Sequence, residues 1–333
     1  MPGTDVEKGA LQTAFTELTG CTVPIQLAAM GGGVVTTALA AAVSTAGGLG
    51  MLNRAGSLPL ATRVRELEAA GVRPFGVNMT PKDPEGRDRP DRAEVEFAAT
   101  HSQLVEFFWA EPNPDCIGWV HSAGSLAGWQ VGSVAEARRA ADAGCDLIVA
   151  QGVEAGGHVR GSMGLLPLLD GVLERVTIPV LAAGGITTAR SMAAVMAAGA
   201  AGVRIGTRFL ATRESGAHPD YVAALLAADG ESTVLTDVFS VGWPDAPHRV
   251  LAAAAATAQA NEGQTVGALA GIPIPRLSAQ APNRDVNGDI AAMALYAGQG
   301  IGQVNRVVPA AQVVTELASG ARRLLALWGA SLR

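Results

Sequence analysis

The chain has 333 residues, a length that suits one barrel-sized domain with additions better than a minimal domain. Its formal net charge of -6 is mild and spread along the chain, so no basic block is available for the phosphates of a nucleic acid or for a membrane surface. Hydrophobic residues make up 49% and aromatics only 4%, which leaves the core to Ala, Val, Leu and Ile.

The 41 glycines fall in short clusters between apolar runs, the distribution of a fold with many tight strand-to-helix turns. Cys21, Cys116 and Cys145 are odd in number and far apart, with no C-x-x-C pair, which fits a reducing compartment and no disulfide framework. Residues 1–20 hold Asp5, Glu7, Lys8 and Glu17 and lack an apolar signal core, and the alanine-rich run from Leu251 is too weakly hydrophobic for a membrane span. A cytoplasmic protein is expected, with no membrane or nucleic-acid partner.

In chain order, buried-looking apolar runs stand at Ile25–Ala28, Gly48–Met51, Phe75–Asn78, Leu104–Phe108, Ala127–Val131, Leu147–Ala150, Val180–Ala182 and Gly202–Ile205. They do not alternate with polar residues, as befits parallel strands covered on both faces. Helix-period segments separate them, among them Thr36–Ala46, Leu60–Ala70, Val134–Ala143, Leu165–Arg175 and Ala189–Ala198. Gly47, Gly71, Gly144 and Gly199 stand where helices of this kind end, and Ser133 with Glu136 has the spacing of a capping box. The repeated unit predicts a (β/α)8 barrel over about residues 20–230, an open doubly wound sheet being the alternative. Beyond Thr212, helices are expected around Pro219–Ala228, Arg249–Gln259, Val286–Gly298 and Ala310–Leu327. Residues 231–333 then form a mainly helical region over the barrel mouth.

Function in such a barrel gathers at the C-terminal ends of the strands. Those ends carry Ala29 and Met30 with Gly31–Gly33, Asn78, Gln130, Gln151-Gly152, Gly184-Gly185 and Gly206-Thr207. Small and neutral polar groups suit a large cofactor with its own reactivity better than acid–base work by side chains alone. The glycines after the seventh and eighth strands admit close backbone approach, and amides there together with a helix N-terminus are expected to hold a phosphate. The plainer alternative is that they only permit tight turns. Bulky substitution of Gly185 or Gly206 is expected to obstruct that approach.

His158 follows Gly156-Gly157 on a turned loop, and it is the one histidine of five with that placement. It is expected either to donate to a substrate anion or to take a proton near neutral pH, against the alternative of a loop-holding role. His218 and His248, beside prolines, could line the pocket, whereas His121 belongs to an outer helix. No metal-ligand spacing and no Walker-type loop is present. Lysine occurs only as Lys8 and Lys82, neither on an expected strand, which argues against a Schiff-base lyase or aldolase.

The ordered set Pro24-Ile25-Gln26 with Ala29-Met30, Ala46 through Gly50, Phe75 through Asn78, Ala150 through His158, Ala182–Ile186 and Gly206 through Phe209 resembles the nitronate monooxygenase family. The segment Ala294 through Gly300 fits as well, so the resemblance runs over roughly residues 20–305. It implies an FMN-dependent TIM barrel that oxidises alkyl nitronates with dioxygen to a carbonyl compound and nitrite. By that resemblance Ala29 and Met30 contact the flavin ring and Asn78 and Gln151 bond it. Gly184, Gly185, Gly206 and Thr207 hold the phosphate, His158 is the active-site histidine, and Gln130, Gly156 and Gly157 complete the cofactor site. Flavin-dependent enoyl-thioester reductases and an NADH:quinone reductase share these motifs and supply the alternative. Two departures stand out: Ala29 replaces the family's proline before Met30, and Phe239–Val250, with Trp243 and His248, differs from the best-characterised branch. Small-molecule substrate and O2 are the expected partners, with monomer and homodimer both open.

Overall fold

The computed structural model describes residue 9 and residues 11–54, 58–80 and 91–331. Lys8 and Lys82 lie outside the described residues. The eight expected parallel strands are β1 (Ile25–Leu27), β2 (Gly50–Asn53), β3 (Phe75–Met79), β4 (Leu104–Phe107), β5 (Leu126–Val131), β6 (Leu147–Gln151), β8 (Val180–Ala183) and β9 (Gly202–Ile205), with β7 (Gly157–His158) a short insertion after β6. They form one sheet in the order β1-β9-β8-β6-β5-β4-β3-β2. A parallel bridge between Gln26 and Leu49, with hydrogen bonds from Leu27 to Leu49 and from Leu49 to Ile25, brings the two ends together. This closure makes the sheet a (β/α)8 barrel and removes the open-sheet alternative.

Almost every strand residue is buried, because side chains pointing in fill the barrel and those pointing out meet the helices. The five named helices occur at Thr37–Thr45, Leu60–Ala69, Val134–Asp142, Leu165–Leu173 and Ala189–Ala197. Gly47, Gly71, Gly144 and Gly199 follow all of them but Leu165–Leu173 with positive φ, as helix-terminating glycines do. The capping box at Ser133 is only half realised. Ser133 accepts the Glu136 amide, but the Glu136 carboxylate takes the N–H of Gly132, one residue farther back.

The C-terminal part departs from expectation in two places. Arg249 belongs to a strand, β11 (His248–Leu251), which pairs with β10 (Thr233–Thr236) on one side and β7 on the other; the helix starts only at Ala252. The Arg249 guanidinium donates to the Val153 carbonyl at 2.8 Å and holds that edge against the barrel mouth. The run 286–298 is not an α-helix, and its helical part is only a 3-10 turn, Ile290–Ala292. It begins as β14 (Val286–Gly288), which joins β12 (Thr265–Leu269) and β13 (Ile272–Pro275) in a second small sheet. Gly288 there has φ +142 and its Cα faces the backbone of Gly267, a contact a side chain would block. The last helix, Ala310–Ser331, packs on the outer helices Ala189–Ala197 and Thr37–Thr45.

All three cysteines are buried. Burial pushes the Cys145 thiol up to about 12 and Cys21 to about 11, so both act as packing residues.

Candidate active site

At the C-terminal mouth of the barrel lies a cavity of about 1220 Å³, roofed by Val241–Pro244, Ala279–Ala281 and Tyr296 from the C-terminal additions. The expected catalytic and cofactor positions border it: Ala29 and Met30 from the β1 end, Asn78, Gln130 and Gln151, Gly156 to His158, Gly184 and Gly185, and Gly206 and Thr207; Gly152 does not.

The glycine loops form a cradle of backbone. Gly184 and Gly185 have φ +121 and +66, and among the described residues nothing accepts a hydrogen bond from the N–H of Gly184, Gly185 or Gly206. The Thr207 hydroxyl accepts the Gly298 N–H at 3.1 Å, which leaves its own hydrogen to donate. Thr188 and Ser191 cap the helix Ala189–Ala197 reciprocally, whereas Gly206 is the N-cap of the short helix Thr207–Leu210 and receives no side-chain cap. Anion binding at this cradle therefore falls to loop amides, the uncapped Gly206 end and the Thr207 hydroxyl.

Three residues bordering the cavity carry a buried polar atom without a partner among the described residues: Asn53 Oδ1, Gln151 Oε1 and His158 Nε2. Unpaired buried groups are uncommon enough to require a cause, and a polar ligand in the cavity supplies one. These atoms and the glycine cradle fit a flavin: polar groups beside a planar ring, loop amides at its phosphate.

His158 is placed by a contact far along the chain. Its strand β7 pairs antiparallel with β11, so that His158 stands opposite His248, and Gln151 Nε2 donates to the His158 carbonyl at 2.9 Å. Its ring stacks on Trp243 at 4.1 Å and meets Trp109 edge-on at 5.7 Å, with Tyr296 at 5.5 Å. Burial, then the neighbouring His248, pushes the imidazole down to about 3. This corrects the expectation of a histidine titrating near neutrality: the ring is neutral throughout the physiological range.

His248 does not line the cavity. It is fully buried, accepts the Phe239 amide at Nε2 and bonds the Ala246 carbonyl with Nδ1, so both nitrogens are used. His218 caps the helix Pro219–Ala227, and His121, on its outer helix, bonds Asp146. Among the described residues no group of His, Cys, Asp and Glu is arranged to hold a metal, and no helix is long and apolar enough to cross a membrane.

The neutral ring has a consequence for stability. Below about pH 6.5 an unfolded chain takes up a proton that folded His158 refuses until about pH 3, so this group destabilises the fold progressively across that window. The buried His248, also shifted down, adds to the same slope. Melting temperature is expected to fall from pH 7 to pH 5 less steeply in His158→Gln than in the wild type. Equal slopes would contradict the buried neutral imidazole.

Several site residues are not among those expected. Trp109, with φ +67, holds a backbone conformation uncommon for a bulky residue while its ring faces His158 and Trp243. Glu106 and Arg204 form a buried ion pair in the barrel, Arg204 bordering the cavity. The signal was a single charge inside each of two buried strands, Leu104–Phe107 and Gly202–Ile205.

Compared with known proteins, residues 12–320 match the nitronate monooxygenase family. A dehydrogenase of a hydroxy-methyl-oxo-octahydroindene carboxyl-CoA from Rhodococcus jostii is 37% identical over 245 residues, covering 72% of this chain and 66% of that protein's length. Nitroalkane oxidase from Streptomyces ansochromogenes superposes with a TM-score of 0.76 at 33% identity, covering 96% of this chain and 100% of the other. FabK from Thermotoga maritima does so with 0.79 at 28%, covering 96% and 99%. With its barrel and its flavin-fitting cavity, the chain belongs to the nitronate monooxygenase family of flavin-dependent oxidoreductases.

Proposed function

We propose that the chain uses FMN to oxidise small alkyl nitronates with dioxygen, giving a carbonyl compound and nitrite. The observation that carries this reading is the neutral imidazole of His158, with Nε2 buried and unpartnered, enclosed by Trp109, Trp243 and Tyr296 beside the cavity. A nitronate arrives already deprotonated, so it needs an N–H donor for its oxygens and a dry wall around its carbon, and no base. His158 supplies the donor; the indole rings and Tyr296 exclude water.

When bound, FMN accepts the electrons of the substrate and passes them to dioxygen. The chain's own part is to hold it. Gly184, Gly185, Gly206 and Thr207 take the phosphate through amides and a hydroxyl, and Asn78, Gln130 and Gln151 meet polar atoms of the ring. Ala29, Met30, Gly156 and Gly157 offer backbone and thioether contacts. FMN is favoured over FAD because the sequence has no G-x-G-x-x-G turn for a pyrophosphate. Flavin released from the purified protein is expected to run as FMN on chromatography; FAD would refute this assignment. Aerobic addition of propyl-2-nitronate is expected to release nitrite with consumption of oxygen, and absence of nitrite from the flavin-replete protein would overturn the nitronate reading.

The resemblance to the Rhodococcus jostii CoA-thioester dehydrogenase favours a second reading, in which the same flavin serves an NAD(P)H-dependent reductase of an enoyl thioester or a quinone. Rapid anaerobic bleaching of the flavin by NAD(P)H alone supports that reading over the first.

A further inference from the structure

Below the cavity, side chains from β1, β3, β4, β5 and β9 form one buried polar network. Glu106 of β4 accepts Gln26 Nε2 at 3.1 Å, Asn78 Nδ2 at 2.9 Å and Arg204 Nη1. The same Arg204 nitrogen donates to Gln130 Oε1 at 2.6 Å. Glu106 is fully buried and Arg204, Asn78 and Gln130 nearly so.

An amide can turn over and exchange its oxygen for its nitrogen with little change of shape, so an isolated Asn or Gln does not specify which it presents. Here the choice is forced. A carboxylate only accepts and a guanidinium only donates. The Asn78 atom on Glu106 must therefore be its NH2, which leaves Oδ1 as its remaining polar atom. The Gln130 atom on Arg204 must be its oxygen, which leaves Nε2. Neither remaining atom has a hydrogen-bond partner among the described residues, and both residues border the cavity. Gln151 is oriented in the same sense by the His158 carbonyl and is left with Oε1 unpartnered.

We infer that Glu106 and Arg204 are positioning residues that set the hydrogen-bond polarity of the cavity floor, with an acceptor at Asn78 and a donor at Gln130. The ligand edge that matches presents an N–H beside a carbonyl oxygen, as N3–H and an adjoining carbonyl of a flavin ring do. This inference rests on the flavin reading and adds that the ion pair, rather than the amides alone, dictates how the ring is received.

The test uses flavin-depleted full-length protein, titrated by fluorescence with FMN and with FMN methylated at N3. The methyl group removes the one donor of the edge, so wild type is expected to bind the methylated form about 100-fold more weakly, as when a buried acceptor is left unsatisfied. Arg204→Lys keeps a donor-only partner for Gln130 and is expected to retain that discrimination. Glu106→Gln frees Asn78 to turn over and is expected to narrow the discrimination below about 10-fold; Arg204→Met frees only Gln130 and is expected to weaken both flavins at least about 10-fold with the discrimination kept. Wild type binding both flavins equally, or Glu106→Gln keeping the full discrimination, overturns the inference while the flavin reading stands. Wild type binding neither flavin removes the flavin reading and this inference with it. Should Glu106→Gln fail to fold by circular dichroism, the wild-type comparison still decides, and Arg204→Met binding FMN as tightly as wild type overturns the inference.

Discussion

Gly184→Val is expected to leave the barrel folded and strip it of flavin, weakening FMN at least about 100-fold. Gly184 has φ +121, in the part of backbone space that β-branched residues avoid at about 1–3 kcal/mol. A Cβ there would stand 3.2 Å from both the Ala155 amide nitrogen and the Gly152 carbonyl oxygen. Those are backbone atoms of the loop that carries His158, so the strain is relieved by moving the cradle and not by turning a side chain. The buried strands behind it keep their packing. Gly185 has φ +66, and a Cβ added to it would stand 3.3 Å from Glu154 Cβ, so its valine variant should behave similarly.

Gly206 is a different case, although its place in the sequence suggests the same outcome. Its φ is -110, and an added Cβ would meet only Ala28 Cβ at 3.4 Å and Met30 Sδ at 3.6 Å. Ala is therefore expected to fit there without disturbing the protein, so that flavin loss in Gly206→Ala reports the ligand's approach. Absorbance at the flavin band after reconstitution, with circular dichroism as the fold control, reads all three. Stoichiometric FMN in Gly184→Val would mean that the phosphate site lies elsewhere.

How much of this was legible in the sequence follows from the range of the interactions involved. Each barrel strand is a local apolar run, most of them with a glycine-terminated helix behind, and such units announce themselves within about thirty residues. The residues that border the cavity were legible for the same reason, since strand ends at a barrel mouth share one location whatever the side chains do. The surroundings of His158 were not. The β7–β11 pairing joins His158 to His248 across a long stretch of chain and carries Trp243 onto the imidazole. No periodicity encodes it. Nor does local pattern reveal that burial would hold the ring neutral. In the C-terminal part, Ile272-Pro273-Ile274-Pro275 forms a strand because Leu269 and its neighbours pair with it on one side. Glu106 and Arg204 were visible as lone charges in apolar strands, and only their juxtaposition in the closed barrel gives them meaning.

His158→Ala is expected to lower kcat/KM for a small nitronate by about 10- to 100-fold, the loss of one hydrogen bond to a charged group at about 1.5–3 kcal/mol. His158→Asn, which keeps an N–H of shorter reach, should recover part of that loss; no recovery would favour a packing role for the ring against Trp243. A general-base role makes a contrasting demand. A base works best with its pKa near the operating pH, and burial has pushed this imidazole down to about 3. Neutral nitroalkanes, which must lose an α-proton, are therefore expected to turn over at least about 10²-fold more slowly than their nitronates, since general-base catalysis typically contributes about 10²–10⁴-fold and is absent here. His158→Ala should then reduce both substrates by similar factors, while the wild-type kcat/KM for the nitronate runs flat from pH 6 to 8. The decisive observation is the nitroalkane profile. A rising limb between pH 5 and 8 in the wild type that vanishes in His158→Ala would make His158 a base titrating in the ordinary imidazole range, and the neutral-donor assignment would have to be abandoned.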